Sequence, residues 1–598
     1  MPDPHTYETA TAPASRHASA VWARCRALAP IVSICALAFA LRAPAIRAQL
    51  PDEYWHDELN LVEGALRVGV GEIVGASYGG YSHGTLTYYV LFVAFGIYFV
   101  LGRLAGVFRG PDDFVMSYVT HPSSVFLVAR GVMLIVSIAT IALTFALARR
   151  IFGRLRAGLV AATLLAVSFQ SVQITFGKED GLFTVIVVAA VTFALVMVDR
   201  PVHWRRFAIL GALFGAAAAV KYFGVLATPV IIVTARYSGG GRQPWREVVR
   251  LSTIAAAAFA LAFVCFVPGV LLDTHRFMYS LRQLAVINTG TLFSDVAVAV
   301  SRWYGYLWNT FATANGWPMA ALFYVASFWM LRRRFQQAAI LLLYPAILTG
   351  LLTGMLLFGR PAEATNFYQV SILPLLCVAA GGLLDVLWAR GRTSVRLAIG
   401  AVVAIMVGTN VADDIRFQRL LHAEDSRTAA RRWIEGHVPT GSSILVEGAI
   451  YTFVLEGPQL GETTASLERS LAEIRQQGGG GRLWAVKLRA AEHAAGARFD
   501  VRKVPDLTTQ LLVERPSFVV VRNDRSRQLV EADGRYRRIF AVEPDSPKAF
   551  QFVPLFSSAD IARLRRIPIV ASDPGVTPGP AIRVYQYLGR PDRTGNKS

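Results

Sequence analysis

Arg149-Arg150-Ile151-Phe152-Gly153-Arg154-Leu155-Arg156 is a short basic loop between two long apolar runs, and the side of the membrane on which it falls sets how the whole chain is threaded. Across 598 residues the chain is 54% hydrophobic and only 17% charged, with mean hydropathy +0.43. That is too apolar and too long for one soluble domain, so the sequence reads as a polytopic membrane protein. Apolar segments long enough to cross a bilayer, about 17 to 25 residues, occur at 28–46, 85–107, 123–147, 157–176, 181–198, 206–220, 222–236, 251–272, 316–331, 337–358, 367–389 and 395–412. If all twelve cross, Arg149 to Arg156 lands outside, against the bias of Lys and Arg toward the cytoplasm. The segment 85–107 contains Arg103 and is followed by Pro111-Asp112-Asp113. If it lies in the interface or re-enters, the parity downstream changes. Arg149 to Arg156, Arg200 to Arg206, Arg236 to Arg250, Arg332 to Arg334 and Arg390 to Arg396 then all become cytoplasmic. The expectation is a mostly α protein of about eleven transmembrane helices.

The ends read differently from the middle. Residues 1–27 are polar, Pro/Ala-rich and basic, which reads as a disordered cytoplasmic tail, and Leu28 to about Pro44 as a retained first span rather than a cleaved signal. From Asp413 the composition is that of a soluble domain. Asp425 to Glu435 is patterned as an amphipathic helix, and 443–447, 483–486, 517–521 and 582–587 as strands. The expected domains are therefore 1–27, a membrane domain over 28–412 with outer-face catalytic loops at 49–122 and 176–181, and an outer-face α/β domain over 413–598. The 60 Lys+Arg against 40 Asp+Glu fall between apolar segments rather than in a stripe. That pattern fits cytoplasmic loops and anionic membrane lipids, and no nucleic acid. Cys25, Cys35, Cys265 and Cys377 have no metal-type spacing.

The chemistry-bearing residues collect on the outer side of this threading. Pro51-Asp52-Glu53-Tyr54-Trp55-His56-Asp57-Glu58 follows the first span, and Phe176-Gly177-Lys178-Glu179-Asp180 joins two later ones. Two acidic clusters thus converge on one face. Either alone reads equally well as a solvated loop. The same face gains His83, Lys221 between two short spans, and Arg360 in Gly359-Arg360-Pro361-Ala362-Glu363. A basic residue within apolar sequence is costly unless paired, water-facing or snorkelling, which makes Lys221 and Arg360 candidates for substrate binding.

With these residues the chain resembles the GT-C membrane glycosyltransferases. The His56-Asp57-Glu58 loop, Tyr81 to Tyr89, Gly177-Lys178-Glu179-Asp180, Ala219-Val220-Lys221-Tyr222 and Phe367 to Pro374 look like those of bacterial relatives of protein O-mannosyltransferase and of the lipid A aminoarabinose transferase. Those relatives often read His-Pro-Asp-Glu where this chain has Trp55-His56-Asp57-Glu58. The resemblance implies transfer of a sugar, with inversion, from a polyprenyl-phosphate carrier to an envelope lipid, glycan or protein. It places the enzyme in the inner (cytoplasmic) membrane, with its active site and C-terminal domain on the outer face. Asp57 would be the catalytic base, oriented by Glu58 or Asp180, and Lys178, Lys221, Arg360, His83 and His56 would bind substrate. No organic cofactor is implied. A divalent metal between Asp57 and Asp180 and neutralisation of the phosphate by the nearby lysine both remain open. The alternative readings are a transporter or flippase of a lipid-linked sugar, or an envelope polysaccharide polymerase or ligase.

Overall fold

The computed structural model describes residues 14–52, 54, 56–69, 71, 81, 83–173, 178–289, 312–357, 368–451, 454–455, 457–476, 482–493, 496–544, 558–570 and 577–589. Among them the chain begins with α1 (Ala14–Arg42), the amphipathic α2 (His56–Gly69), α3 (Leu86–Leu104), α4 (Pro111–Thr120) and α5 (Ser123–Phe152). Then come α6 (Leu155–Val167), the single turn α7 (Phe169–Gln173), α8 (Asp180–Val198), α9 (Trp204–Val220), α10 (Pro229–Tyr237) and α11 (Trp245–Phe266). After α12 (Gly269–Leu272) and α13 (Thr274–Thr289) the bundle continues with α14 (Trp317–Arg333), α15 (Phe335–Leu357), α16 (Leu373–Arg390) and α17 (Thr393–His422).

Eight helical stretches among the described residues are long and apolar enough to cross a membrane. The expected count of about eleven leaves out 85–107, which is among these eight as Leu86–Leu104, and takes in four segments that are not: 157–176 and 222–236, which are broken, and 206–220 and 316–331, which form continuous helices of 17 residues each. Ser168 interrupts the first, and a 3-10 turn over Tyr222–Ala227 precedes the nine-residue α10.

The five basic loops meet at one end of the bundle. Arg150 pairs with Asp199 at 2.6 Å, Arg334 donates to the Ile151 carbonyl at 2.9 Å, and Arg154 and Arg156 reach the buried Asp385 at 3.2 and 3.4 Å. Gly153, in left-handed conformation at φ +69°, turns α5 into α6 there. The opposite end carries the acidic loops, and α3 is fastened to it. At its start, Thr85 donates to the carbonyl of Phe266, the last residue of α11. At its finish, Tyr98 and Phe99 pack on Phe108 and Phe114, in one apolar cluster with Phe126 and Ala129 of the first turns of α5. Val93, Ile97, Val100 and Leu101 remain exposed along its other face. The helix therefore has the length of a span but lies along one end of the bundle.

The C-terminal region starts with α18 (Ser426–His437), capped by the Asp425 carboxylate, which accepts from Arg427 N at 2.9 Å. Its five-stranded sheet is formed by β1 (Ser443–Glu447), β4 (Asp500–Val504), β5 (Phe518–Val521), β6 (Tyr536–Val542) and β7 (Ile582–Tyr587), in the order β4-β1-β5-β7-β6. Strand β1 runs parallel to β4 and β5, while β7 is antiparallel to β5 and β6. A small separate pair, β2 (Ala449–Tyr451) and β3 (Val454–Leu455), stands apart. The expected strand at 483–486 is instead the start of a helix, α20 (Arg482–His493), which follows α19 (Thr464–Gln476). Leu483 and Val486, one turn apart, are buried against the cluster of α2 to α5. A period of three to four places both on one face, and docking on the membrane-side helices overrides the local strand pattern.

Threading can be read directly. In a background stripped of native cysteines, Arg200→Cys at the basic end and Thr440→Cys after α18 are expected to react with a membrane-impermeant maleimide from opposite sides. Labelling of both from one side would place the basic loops and the C-terminal region together and rule out the threading derived from the charge pattern.

Candidate active site

Helix α2 begins at His56 and puts Asp57 and Glu58 in its first turn, where carboxylates oppose the positive end of the helix dipole. Successive residues on a helix diverge by about 100°, so the two carboxylates face different surroundings. Glu58 is buried and held by both nitrogens of the Arg130 fork, at 2.7 and 2.8 Å. Arg130 also donates to the carbonyls of Ile46 and Ala48 beyond the end of α1. This closed ion pair pins α2 to α5 and to the end of the first span. Both Glu58 oxygens are thus engaged by Arg130.

Asp57 turns to the loop before α8. Its Oδ2 lies 2.8 Å from Lys178 Nζ, with 34% of the Asp57 side chain and 15% of the Lys178 side chain still accessible. The next two residues face inward: Lys221 Nζ sits 2.6 Å from Asp180 and 3.5 Å from Glu179. His83 Nδ1 lies 3.3 Å from the same Glu179 oxygen, and the Tyr368 ring lies 4.8 Å beneath the Lys221 ammonium. His83 reaches this place because Gly84 presses on the end of α9, where a Cβ would come within 2.2 Å of the Ala219 carbonyl oxygen.

The structure thus brings Asp57, His83, Lys178, Asp180 and Lys221 into one cluster and adds Glu179, which sequence reasoning passed over although it sits between two chosen residues. Arg130 was also missed; a lone Arg inside the apolar run 123–147 was the available signal. Arg360 lies outside the described residues, as do Glu53, Trp55 and the His56 side chain. Asp52 belongs to neither group. It accepts from Thr428 at 2.7 Å and from Arg431 at 3.2 Å, while Tyr54 bonds Thr428 at 3.0 Å beneath the Arg427 guanidinium, so α18 grips the segment leading to Asp57.

The electrostatics follow from this pairing. Burial alone would raise the Asp57 carboxyl, but the ammonium of Lys178, with His83, outweighs it and holds Asp57 down at about 2. Burial would likewise lower His83, yet Glu179 beside it leaves the imidazole raised above its ordinary value. Glu179 is driven well below the carboxylate range, with Lys221 and His83 overcoming its burial. With His83 protonated, three cations face three carboxylates. Among the described residues no group of three or more His, Cys, Asp or Glu side chains is placed to hold a metal. Asp57 and Asp180 each have a lysine ammonium as partner, at 2.8 and 2.6 Å, and no step below is routed through a divalent ion.

Residues 119–271 match the sequence model of a family described as dolichyl-phosphate-mannose-protein mannosyltransferase. The matched stretch carries Arg130, Lys178, Glu179, Asp180 and Lys221. No curated protein matches. Among solved structures, the oligosaccharyltransferase AglB of Archaeoglobus fulgidus, in complex with an inhibitory peptide and a dolichol-phosphate, aligns at 12% identity and TM-score 0.47, covering 87% of this chain and 73% of its own. ArnT of Cupriavidus metallidurans bound to undecaprenyl phosphate aligns at 13% identity and TM-score 0.47, covering 93% and 98%. Alignments this distant say nothing about residue roles. The family match and the charged loops together make this a chain that resembles the GT-C membrane glycosyltransferases, and over residues 119–271 specifically the dolichyl-phosphate-mannose-protein mannosyltransferases.

Proposed function

We propose that this protein transfers a sugar, with inversion, from a polyprenyl-phosphate carrier to an envelope acceptor at the outer face of the cytoplasmic membrane. The observation that carries the reading is the Asp57–Lys178 pair at 2.8 Å, in which Asp57, with 34% of its side chain accessible, is the most open group of the charge cluster. A lipid-carried donor brings its phosphate to the bilayer surface, and Lys178 is the accessible cation of the pair. The gathering of five basic loops at the far end supports a cytoplasmic placement for that end, with α3 lying in the interface and residues 413–598 outside.

The chemistry follows from what each residue can exchange. The acceptor oxygen attacks the anomeric carbon as the bond from that carbon to the phosphate oxygen breaks. The electron pair leaves with the polyprenyl phosphate, and the acceptor proton passes to the Asp57 carboxylate. A single displacement from the opposite face inverts the anomeric centre. A phosphate leaving group needs positive charge and no proton donor, which Lys178 supplies with support from His83. In the free protein Lys178 holds Asp57 too acidic to be an effective base. When Lys178 turns to the donor phosphate, Asp57 loses its cation and becomes a stronger proton acceptor. Donor binding thus arms the base. Lys221 is doubly engaged by Asp180 and Glu179 and serves to hold the loop in place.

Several outcomes test this assignment in proteoliposomes supplied with a polyprenyl-phosphate sugar. Asp57→Asn is expected to lower turnover about a hundredfold or more while donor binding persists. Asp52→Asn is expected to cost mainly thermal stability, about 1.5–3 kcal/mol for a charge-assisted hydrogen bond, and Glu58→Gln about 3–5 kcal/mol for a broken buried pair. An inactive but stable Asp52→Asn together with an active Asp57→Asn would move the base to the first acidic pair.

Lys178→Met is expected to weaken donor binding at least tenfold, the cation being the phosphate's partner. Unaltered donor affinity would remove it from the site.

The pH profile carries the arming step. Asp57 must be ionised to act, so with its free-enzyme value at about 2, kcat/KM shows no acid limb across the working range. The profile of kcat, which reports the bound complex, falls on the acid side at an ordinary carboxylate value or above. In the other direction, His83 is raised by Glu179. Its favourable charge is complete below about 6.5 and is lost as pH rises through the raised value, so donor affinity declines on the alkaline side. His83→Gln is expected to abolish that decline.

A further inference from the structure

On the same side of the bundle as the cluster, but behind α2, a cleft of about 890 Å³ lies between α2, α4 and the C-terminal region. It is within the size of small-ligand pockets. Helix α2 contributes Leu59 and Glu63 to its wall, one turn apart, on a different face from Asp57. Opposite stand Arg431 and Glu435 of α18 and Lys487 of α20.

The charges of this cleft are paired. Glu63 accepts from Lys487 at 2.6 Å, Asp52 lies 3.2 Å from Arg431, Arg431 lies 3.6 Å from Glu435, and Glu462 meets Lys503. With Arg498, the described lining holds four carboxylates and four bases. Carboxylates and cations are thus equal in number, and Arg431, Lys487 and Lys503 each already meet a carboxylate, which disfavours a phosphorylated or otherwise anionic ligand. A peptide calls for apolar side-chain pockets or a free strand edge; the edge strand β4 borders the cleft through Val501 and Lys503, but segment 461–466 already meets that edge, with Phe499 N donating to the Gly461 carbonyl and Ser466 to the Val501 carbonyl. What the wall does offer is carboxylate acceptors and charged N–H donors side by side with the apolar and aromatic Leu59, Tyr118, Leu467 and Trp484. Hydroxyls, which both give and accept hydrogen bonds, match those acceptors and donors without adding charge.

We propose that this cleft binds a neutral, polyhydroxylated glycan. The site is distinct from the Asp57 cluster, and its occupancy does not depend on Asp57 being the base. Glu63 follows Asp57 by six residues, about 9 Å along the helix axis. A glycan held there has its chain within a few sugar units of the reacting end, which makes the acceptor a growing or finished neutral glycan rather than a protein or a phosphorylated lipid. That last step rests on the transferase reading; binding itself does not.

Full-length protein in nanodiscs is to be titrated with neutral linear arabinan, galactan and mannan tetrasaccharides, with an oligogalacturonate and with a Ser/Thr-rich peptide, using saturation-transfer NMR and calorimetry. At least one neutral tetrasaccharide is expected to bind, and the oligogalacturonate and the peptide are not. Glu462→Gln and Glu63→Gln are each expected to weaken that binding about tenfold or more, each removing a charged hydrogen-bond partner. Glu462 lies in the C-terminal region, away from the membrane-side helices, so its variant reports on the cleft even if Glu63→Gln misfolds. Asp57→Asn is expected to bind as wild type does, and an inactive Asp57→Asn that still binds separates this proposal from the catalytic one. Binding of the oligogalacturonate or the peptide in preference to every neutral sugar, absence of binding by all neutral sugars, or neutral binding indifferent to Glu462→Gln would each overturn it.

Discussion

The constraint that shapes this protein is that an ionised side chain cannot stand alone in an apolar bundle. Desolvating a charge costs several kcal/mol unless a partner or water compensates. The chain meets the constraint differently at its two ends. At one end, basic residues mostly reach outward, with exposed pairs such as Arg150–Asp199, where water and lipid headgroups carry the load. At the other end the charges are drawn inward and matched, and the matching creates the site. The buried Arg130–Glu58 pair fixes α2 against α5. Lys221 with Asp180 and Glu179 fixes the loop ahead of α8. Only with both fixed do Asp57 and Lys178 face each other with part of their surface open.

Such an arrangement separates structural from reactive charge by accessibility. Glu58, Arg130, Glu179 and Asp180 are each buried, and exchange of partners there leaves an uncompensated ion. Asp57 keeps a third of its surface, and in the proposed function a donor phosphate competes for its lysine there. The C-terminal region extends the same logic through α18. Asp52, Thr428, Tyr54 and Arg427 tie the segment that leads to Asp57 to the first helix beyond the membrane bundle. The position of the reactive loop is therefore set from both the bundle and the tail.

Much of this was legible in the chain because charge interrupting apolar sequence is a strong signal. Lys221 stood out on that ground, Asp57, Lys178 and Asp180 stood out in charged loops on one side of the threading with His83 on the same face, and the basic runs announced their common end. The signal failed where it needed a partner far away in sequence. Arg130 sits in the middle of an apolar run, and its meaning lies in Glu58, 72 positions earlier. The strand expected at 483–486 failed for a related reason. Leu483-Trp484-Ala485-Val486 is apolar and short, and the burial of Leu483 and Val486 in the membrane-side cluster, with their helix packed on α4 and α2, selects the helix. Span counting was limited by helix breaks at Ser168 and Lys221, where the chain interrupts an apolar run without leaving the bundle.

The adjacent acids Asp57 and Glu58 show why an acidic pair in sequence need not be a pair in chemistry. In an extended loop both could approach one substrate. Here the helix begins at His56, and a turn of about 100° per residue sends one carboxylate into the bundle and the other toward the open edge. Had the helix started three residues later, at Leu59, both would have remained in the loop, and Arg130 would have lost the helical placement of its partner. Helix onset thus assigns the two roles: Glu58 supplies the anchor, and the anchor holds Asp57 within reach of Lys178. In the proposed reaction the acidic dipeptide serves as one positioning group and one reacting group, because a single helical step separates them.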